Sequence, residues 1–316
     1  MVDSAEALTL RARDAHARRD FAAAQAAAEA ATVQDPAYLP GWLGLVNSYT
    51  AVSDWPAALA AVRRAQMQYP ADVSLALSAA LIRGEMQDLE GALDEWDHIL
   101  ALAPDNAMAL AMRGALALQL QRPRAAEADV TRALRLDPDN LVALQTRTSL
   151  HLRAGNLRGA LLDLSRALAV EPHDTDLLLL RAGIWLEVGD RLAAAADYTS
   201  VLALAPQNAA GLSGLGNVQM QAGQYAAALQ SYEAALKAAP GAGAALYNLA
   251  AAQAMLGRCP QAVELLRQAL RADPRLADAA AADPYLAHCS GHPGFAAALR
   301  GAPGAAGRPP KGQRQR

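Results

Sequence analysis

An all-α solenoid is the fold class this sequence predicts, and three observations predict it. The 316-residue chain is 53% hydrophobic but only 4% aromatic, and its apolar share is mostly alanine and leucine. Those two lead the helix-propensity ranking, whereas the β-branched and aromatic residues that favour strands are scarce. Proline also recurs on a fixed lattice, at Pro36, Pro70, Pro104, Pro138, Pro172, Pro206, Pro240 and Pro274, with one constant interval between neighbours. At an ordinary usage of about one residue in twenty, chance places eight prolines on such a lattice with a probability on the order of 10^-10. Finally, alanine stands twelve places before every one of those prolines, at Ala24, Ala58, Ala92, Ala126, Ala160, Ala194, Ala228 and Ala262.

Within each repeat the residues read as two helices joined by a tight turn. The first helix carries an apolar residue at one lattice position: Leu8, Trp42, Ala76, Leu110, Leu144, Leu178, Leu212 and Leu246. In the seventh repeat its stripe spans Ala209–Gln221. Gly155, Gly189, Gly223 and Gly257 end that helix in the last four repeats by taking the left-handed conformation. Arg19, Ser53, Gln87 and Gln121 occupy the same place in the first four. The second helix of the seventh repeat spans Tyr225–Ala238. Eight places before the proline, second helices carry Val62, Trp96, Val130, Leu164, Tyr198, Tyr232 and Leu266, with Ala28 in the first repeat. Proline cannot continue the helix and so closes the repeat. The lattice alanine lets two helix backbones approach, where a larger side chain would wedge them apart. No single hairpin buries both stripes; stacking on the next one does.

These elements divide the chain into an N-terminal cap (1-4), eight repeats and two terminal segments. The repeats are 5-38, 39-72, 73-106, 107-140, 141-174, 175-208, 209-242 and 243-276. Asp3 followed by Glu6 reads as a capping box for the first helix. Residues 277-300 read as a degenerate ninth repeat that caps the stack. Around it Arg275–Ala282 is expected to form a short helix, Asp283-Pro284 restarts a helix, and Gly291 and Ala296 fall on the glycine and alanine lattices. Residues 301-316 carry Arg308, Lys311, Arg314 and Arg316 with no acid and are expected to be a flexible basic tail.

Composition narrows the function classes. A net charge of −3 argues against a surface dedicated to nucleic acid. Neither a secretory signal nor an apolar run long enough to span a bilayer is visible, so a cytoplasmic protein without membrane insertion is expected. Cys259 and Cys289 make no disulfide framework, and their spacing with His288 and His292 is not that of zinc ligands. No metal or cofactor is expected. Gly211, Gly214 and Gly216 lie inside a helix rather than after a strand, so they point to close helix packing and not to a phosphate loop. Trp42, Trp55, Trp96 and Trp185 read as core, with Trp55 as a candidate groove edge.

The repeat at 209-242 reads Leu212, Leu215-Gly216, Gly223, Tyr225, Ala228, Tyr232, Ala235 and Pro240. This pattern resembles the tetratricopeptide repeat family, and the resemblance covers roughly residues 5–276. It implies a right-handed superhelix of helix-turn-helix hairpins whose first helices line a concave groove. It also implies ligand contacts from asparagines on successive first helices, which places Asn47, Asn217 and Asn248 in that role. The lysines that complete a carboxylate clamp in some members are missing, with Ser213 one turn before Asn217. Leu43, Leu77, Gln145, Ser149, Leu179, Ser213 and Tyr247 are further groove candidates. This mixed, weakly charged surface suits a peptide or helix with apolar anchors rather than an acidic ligand or RNA.

A paired polar pattern runs beside it. Arg113, Arg147 and Arg181 share one lattice position on the first helices of repeats four, five and six. Asp129, Asp163 and Asp197 share another on the second helices of the same repeats. Repeats two, seven and eight have Leu45, Leu215 and Leu249 and no acid, so arginine and aspartate read as coupled. The pairs read as structural Arg–carboxylate bridges, either within a repeat or between neighbours. The expected function is a non-enzymatic protein-interaction scaffold that holds a peptide or protein. Self-assembly into a homo-oligomer is the alternative, and an accessory subunit of an enzyme complex the third reading. The stretch 277-316 that follows the repeats is too short for a catalytic domain.

Overall fold

The structure is a computed structural model that describes residues 3–240 and 243–300. The expected tail at 301-316 lies outside the described residues. The first helices are α1 (Ala5–Ala17), α3 (Leu39–Ala51), α5 (Val73–Glu85), α7 (Ala107–Gln119), α9 (Leu141–Arg153), α11 (Thr175–Glu187), α13 (Ala209–Gln221) and α15 (Gly243–Met255). The second helices are α2 (Phe21–Gln34), α4 (Trp55–Gln68), α6 (Leu89–Leu102), α8 (Pro123–Leu136), α10 (Leu157–Val170), α12 (Arg191–Leu204), α14 (Tyr225–Ala238) and α16 (Cys259–Ala272). Two short helices follow, α17 (Ala277–Ala282) and α18 (Pro293–Arg300). The architecture is an all-α solenoid, and no strand occurs among the described residues.

Local chemistry sets the helix starts. The side chains of Asp20, Asp54, Asp88 and Asp190 accept from the backbone N–H three residues on, at 3.1, 3.2, 3.1 and 3.0 Å. Asn106, Asn140 and Asn208 do the same for first helices. At the chain start the cap is Ser4, which accepts from Ala7 N at 3.2 Å, not the expected Asp3; the Asp3 carboxylate bonds Arg11 instead.

The first helices end in a left-handed residue at all eight turns. Four are the glycines, and four are Arg19, Ser53, Gln87 and Gln121, with φ of 60, 57, 58 and 59°. The turn geometry is therefore kept where glycine is lost, at a cost in backbone strain.

By its contacts the chain divides into two halves, Met1–Asp163 and Leu164–Arg316. In the N-terminal half each second helix packs on its own first helix and on the next one, and first helices touch at α1·α3 and α7·α9. Its core holds Trp42, Val46, Val62, Leu75 and Ile82. In the C-terminal half α11 to α16 pack in the same order, with α11·α13 and α13·α15 in contact. The eight lattice alanines are each at most 2% exposed.

Gly214 and Gly216 carry the close approach. An added Cβ would lie 2.2 Å from the Tyr198 ring at Gly214 and 2.5 Å from the Tyr232 ring at Gly216. The C-terminal segment begins with a 3-10 turn at Pro274–Leu276 where a helix from Arg275 was expected. Asp283 then accepts from Tyr285 N at 2.7 Å to start a second 3-10 turn at Leu286–Cys289. Leu286, Cys289, Phe295 and Ala298 bury against α15 and α16.

Candidate protein-binding face

The arginine–aspartate pairs lie inside hairpins. Arg113 Nε and Nη2 donate to Asp129 Oδ2 and Oδ1 at 2.7 and 2.6 Å, and Nη1 reaches back to Asp97 of the preceding hairpin at 2.6 Å. Arg147 holds Asp163 at 2.8 and 2.6 Å, and Arg181 holds Asp197 at 2.8 and 2.7 Å. Each bridge is bidentate and joins a first helix to the second helix of the same hairpin. The hydrogen bonds to Asp129 and Asp163 push the Arg113 and Arg147 pKa up, against burial, so both stay charged. These arginines are engaged by their own carboxylates.

Arginine and aspartate are not strictly coupled, however. In the first repeat Arg11 faces Ala27 on the lattice, and its guanidinium bonds Asp3. In the third, Glu95 takes the acid's place opposite Ala79. Its buried carboxylate is reached by Arg63 Nη2 at 3.1 Å, Arg83 Nε at 3.5 Å and Gln66 Nε2 at 3.3 Å. The lattice position alone marked Glu95; its partners come from other positions because longer side chains span the gap.

The groove candidates do not share one environment. Asn47 is exposed and lines a pocket of about 590 Å³ between α1 and α3, together with Arg13, Asp14, His16 and Ser48. Gln145 and Ser149 are exposed and line a depression of about 360 Å³ between α7 and α9, with Gln119, Thr146 and Arg153. Arg13, Asp14 and His16 carry no repeat signal, since only their place beside Asn47 marks them.

In the C-terminal half, Asn217 Oδ1 accepts from Tyr232 OH at 2.7 Å and from Asn248 Nδ2 at 3.4 Å. The two asparagines are thus neighbours on α13 and α15, and one carbonyl is engaged by the core. Leu43 and Leu179 are half-buried against the core, and Ser213 is half-buried on α13. Tyr247, half-buried on α15, has its hydroxyl engaged by the cap. Its hydroxyl donates to Asp283 Oδ2 at 2.5 Å, and burial with that bond pushes its pKa up.

Cys259 and Cys289 correct the sequence reading. Their sulfurs are bonded to each other, with Cα atoms 5.3 Å apart across a sequence separation of 30. A single pair at that separation carries no framework pattern, and only the folding of the cap onto α16 brings the two together. No helix among the described residues is long and apolar enough to cross a membrane.

Several solved structures share the fold. A tetratricopeptide repeat protein from Parabacteroides merdae is 20% identical, with 78% of this chain and 97% of that one covered at a TM-score of 0.55. YrrB, described as a TPR protein with an unusual peptide-binding site, is 18% identical over 57% of this chain and 92% of its own, at 0.51. A chain of the APC/C hetero-tetramer Cut9-Hcn1 is 16% identical over 89% of this chain and 55% of its own, at 0.52. No curated protein matches the sequence. The tetratricopeptide repeat model matches residues 77–140, 149–209 and 213–287. With well over half of its length matched, the chain belongs to the tetratricopeptide repeat family.

Proposed function

We propose that this protein holds a protein or peptide partner on the face formed by its first helices. The family is one of protein-interaction scaffolds, and the observation that carries the finer reading is the pair of open, polar recesses in the N-terminal half. Each is walled by two neighbouring first helices and presents an exposed side-chain amide, Asn47 in one and Gln145 in the other. An amide offers both donor and acceptor, which suits the backbone of an extended peptide. The peptide-binding site of YrrB and the assembly of Cut9 with Hcn1 support the reading by likeness of fold.

The test is quantitative binding of a partner identified by mass spectrometry after pull-down. Asn47→Ala and Gln145→Ala are each expected to weaken it about tenfold, the contribution of one hydrogen bond at an interface. Leu192→Ala, on α12 and 85% exposed, should leave it unchanged. Equal affinity for wild type and both amide variants would refute the first-helix face. Self-assembly through the ends or the convex face is the alternative. Light scattering over a concentration range tests it, and a strict monomer rules it out.

A further inference from the structure

The C-terminal cap is thin. Helices α17 and α18, with 6 and 8 residues, are well below the length at which an isolated helix persists. The cap shares one small core with the last hairpin: Leu286, Cys289, Phe295 and Ala298 are buried together with Leu249, Val263, Leu266 and Leu270, and Leu276, Tyr285 and Leu299 pack at its edge. Tyr247 adds its bond to Asp283. The covalent tie is the disulfide from Cys259, the first residue of α16, to Cys289 in the 3-10 turn. Cys289 is 1% exposed, whereas Cys259 is half-buried and the less enclosed residue of the pair.

We propose that this disulfide is a redox latch, and that a thiol reductant opens it and frees residues 277–300 from α15 and α16. A thiolate of the reductant attacks the Cys259 sulfur, the S–S bond breaks, and Cys289 leaves as a thiolate that takes up a proton. A second reductant thiolate then displaces Cys259 from the mixed disulfide. The reductant is oxidised to its own disulfide, and the protein gains two electrons and two protons. Cys259 stands at the start of α16, whose dipole favours the departing thiolate.

Cross-linking two residues at a separation of 30 removes chain entropy from the open form, so its loss favours opening on the order of 100-fold. Val263, Leu266 and Leu270 then face water as an uncapped array end, which needs a new cover. An oxidising compartment keeps the latch shut and a thiol-rich one opens it.

Hydrogen exchange read by mass spectrometry tests the latch on the full chain, with and without dithiothreitol. The intact oxidised protein should be lighter than the reduced one by two hydrogen atoms. Amides of 286–300 should exchange on the order of 100-fold faster after reduction, while those of α13 keep their protection. The Cys259→Ser/Cys289→Ser variant should exchange at the fast rate in both conditions. Free thiols after air oxidation, equal protection of 286–300 in both states, or faster exchange in α13 as well would each overturn the proposal. The wild-type comparison decides even if the variant does not fold.

Discussion

The same substitution, glycine to alanine in the middle of a first helix, is expected to change sign between Gly183 and Gly216. Helix propensity alone predicts a gain of about 1 kcal/mol at either site. At Gly183, on α11, the site is exposed and an added methyl meets nothing within 4 Å, so that gain is realised. At Gly216 the new Cβ would stand 2.5, 2.7 and 2.9 Å from three atoms of the Tyr232 ring. That ring is 2% exposed, and its hydroxyl is tied to Asn217 at 2.7 Å, so it cannot move aside without losing the bond. Overpacking costs about 1–3 kcal/mol and the lost hydrogen bond about 1 kcal/mol. After the propensity gain is subtracted, Gly216→Ala is destabilising by about 2 kcal/mol. Thermal unfolding followed by circular dichroism should show a rise of roughly 1–2 °C for Gly183→Ala and a fall of roughly 3 °C for Gly216→Ala. A Gly216→Ala protein as stable as wild type would show that Tyr232 does not press on α13, and the close-packing account would fail.

Left-handed strain, a buried ion pair and one tyrosine give three further expectations. Gln87→Gly and Ser53→Gly relieve strain at φ of 58 and 57° and should each stabilise the fold by about 0.5 kcal/mol, measured by urea unfolding; a loss of stability at both would contradict the turn geometry. Asp163→Ala leaves the Arg147 guanidinium half-buried without its carboxylate and should cost about 3 kcal/mol in the same assay, with much of it recovered in Arg147→Met/Asp163→Leu. The Tyr49 hydroxyl donates to Glu29 at 2.6 Å, and that bond, then burial, hold its pKa up at about 12. Its protonated form is favoured by folding, so the contribution is present below about pH 10 and lost as pH rises through 12. The phenolate absorbance missing from Tyr49→Phe should accordingly rise near pH 12; a step at pH 10 would mean the Tyr49–Glu29 bond does not form in solution.

Most of the solenoid was legible in the residues because what specifies it is local. An Asp or Asn cap, a stripe at helical spacing, a left-handed turn residue and a closing proline act within one hairpin, so α13 and α14 occupy the bounds read from the sequence. The turns at Arg19, Ser53, Gln87 and Gln121 keep the glycine geometry because local backbone hydrogen bonds close them, as from Asp88 N to Arg83 O at 2.9 Å. Stacking is likewise written in the lattice alanines, since each needs a close neighbour to be buried.

The tertiary structure decided what depends on reach rather than register. It joined each arginine to the aspartate of its own hairpin, gave Glu95 partners from outside the lattice, and turned Tyr247 toward Asp283. It also paired Cys259 with Cys289, because the irregular cap folds back over α16 and sets two thiols at bonding distance. A repeat period fixes which residues are equivalent, but only the packed backbone fixes which side chains meet, because an arginine or a returning loop can bridge several positions at once.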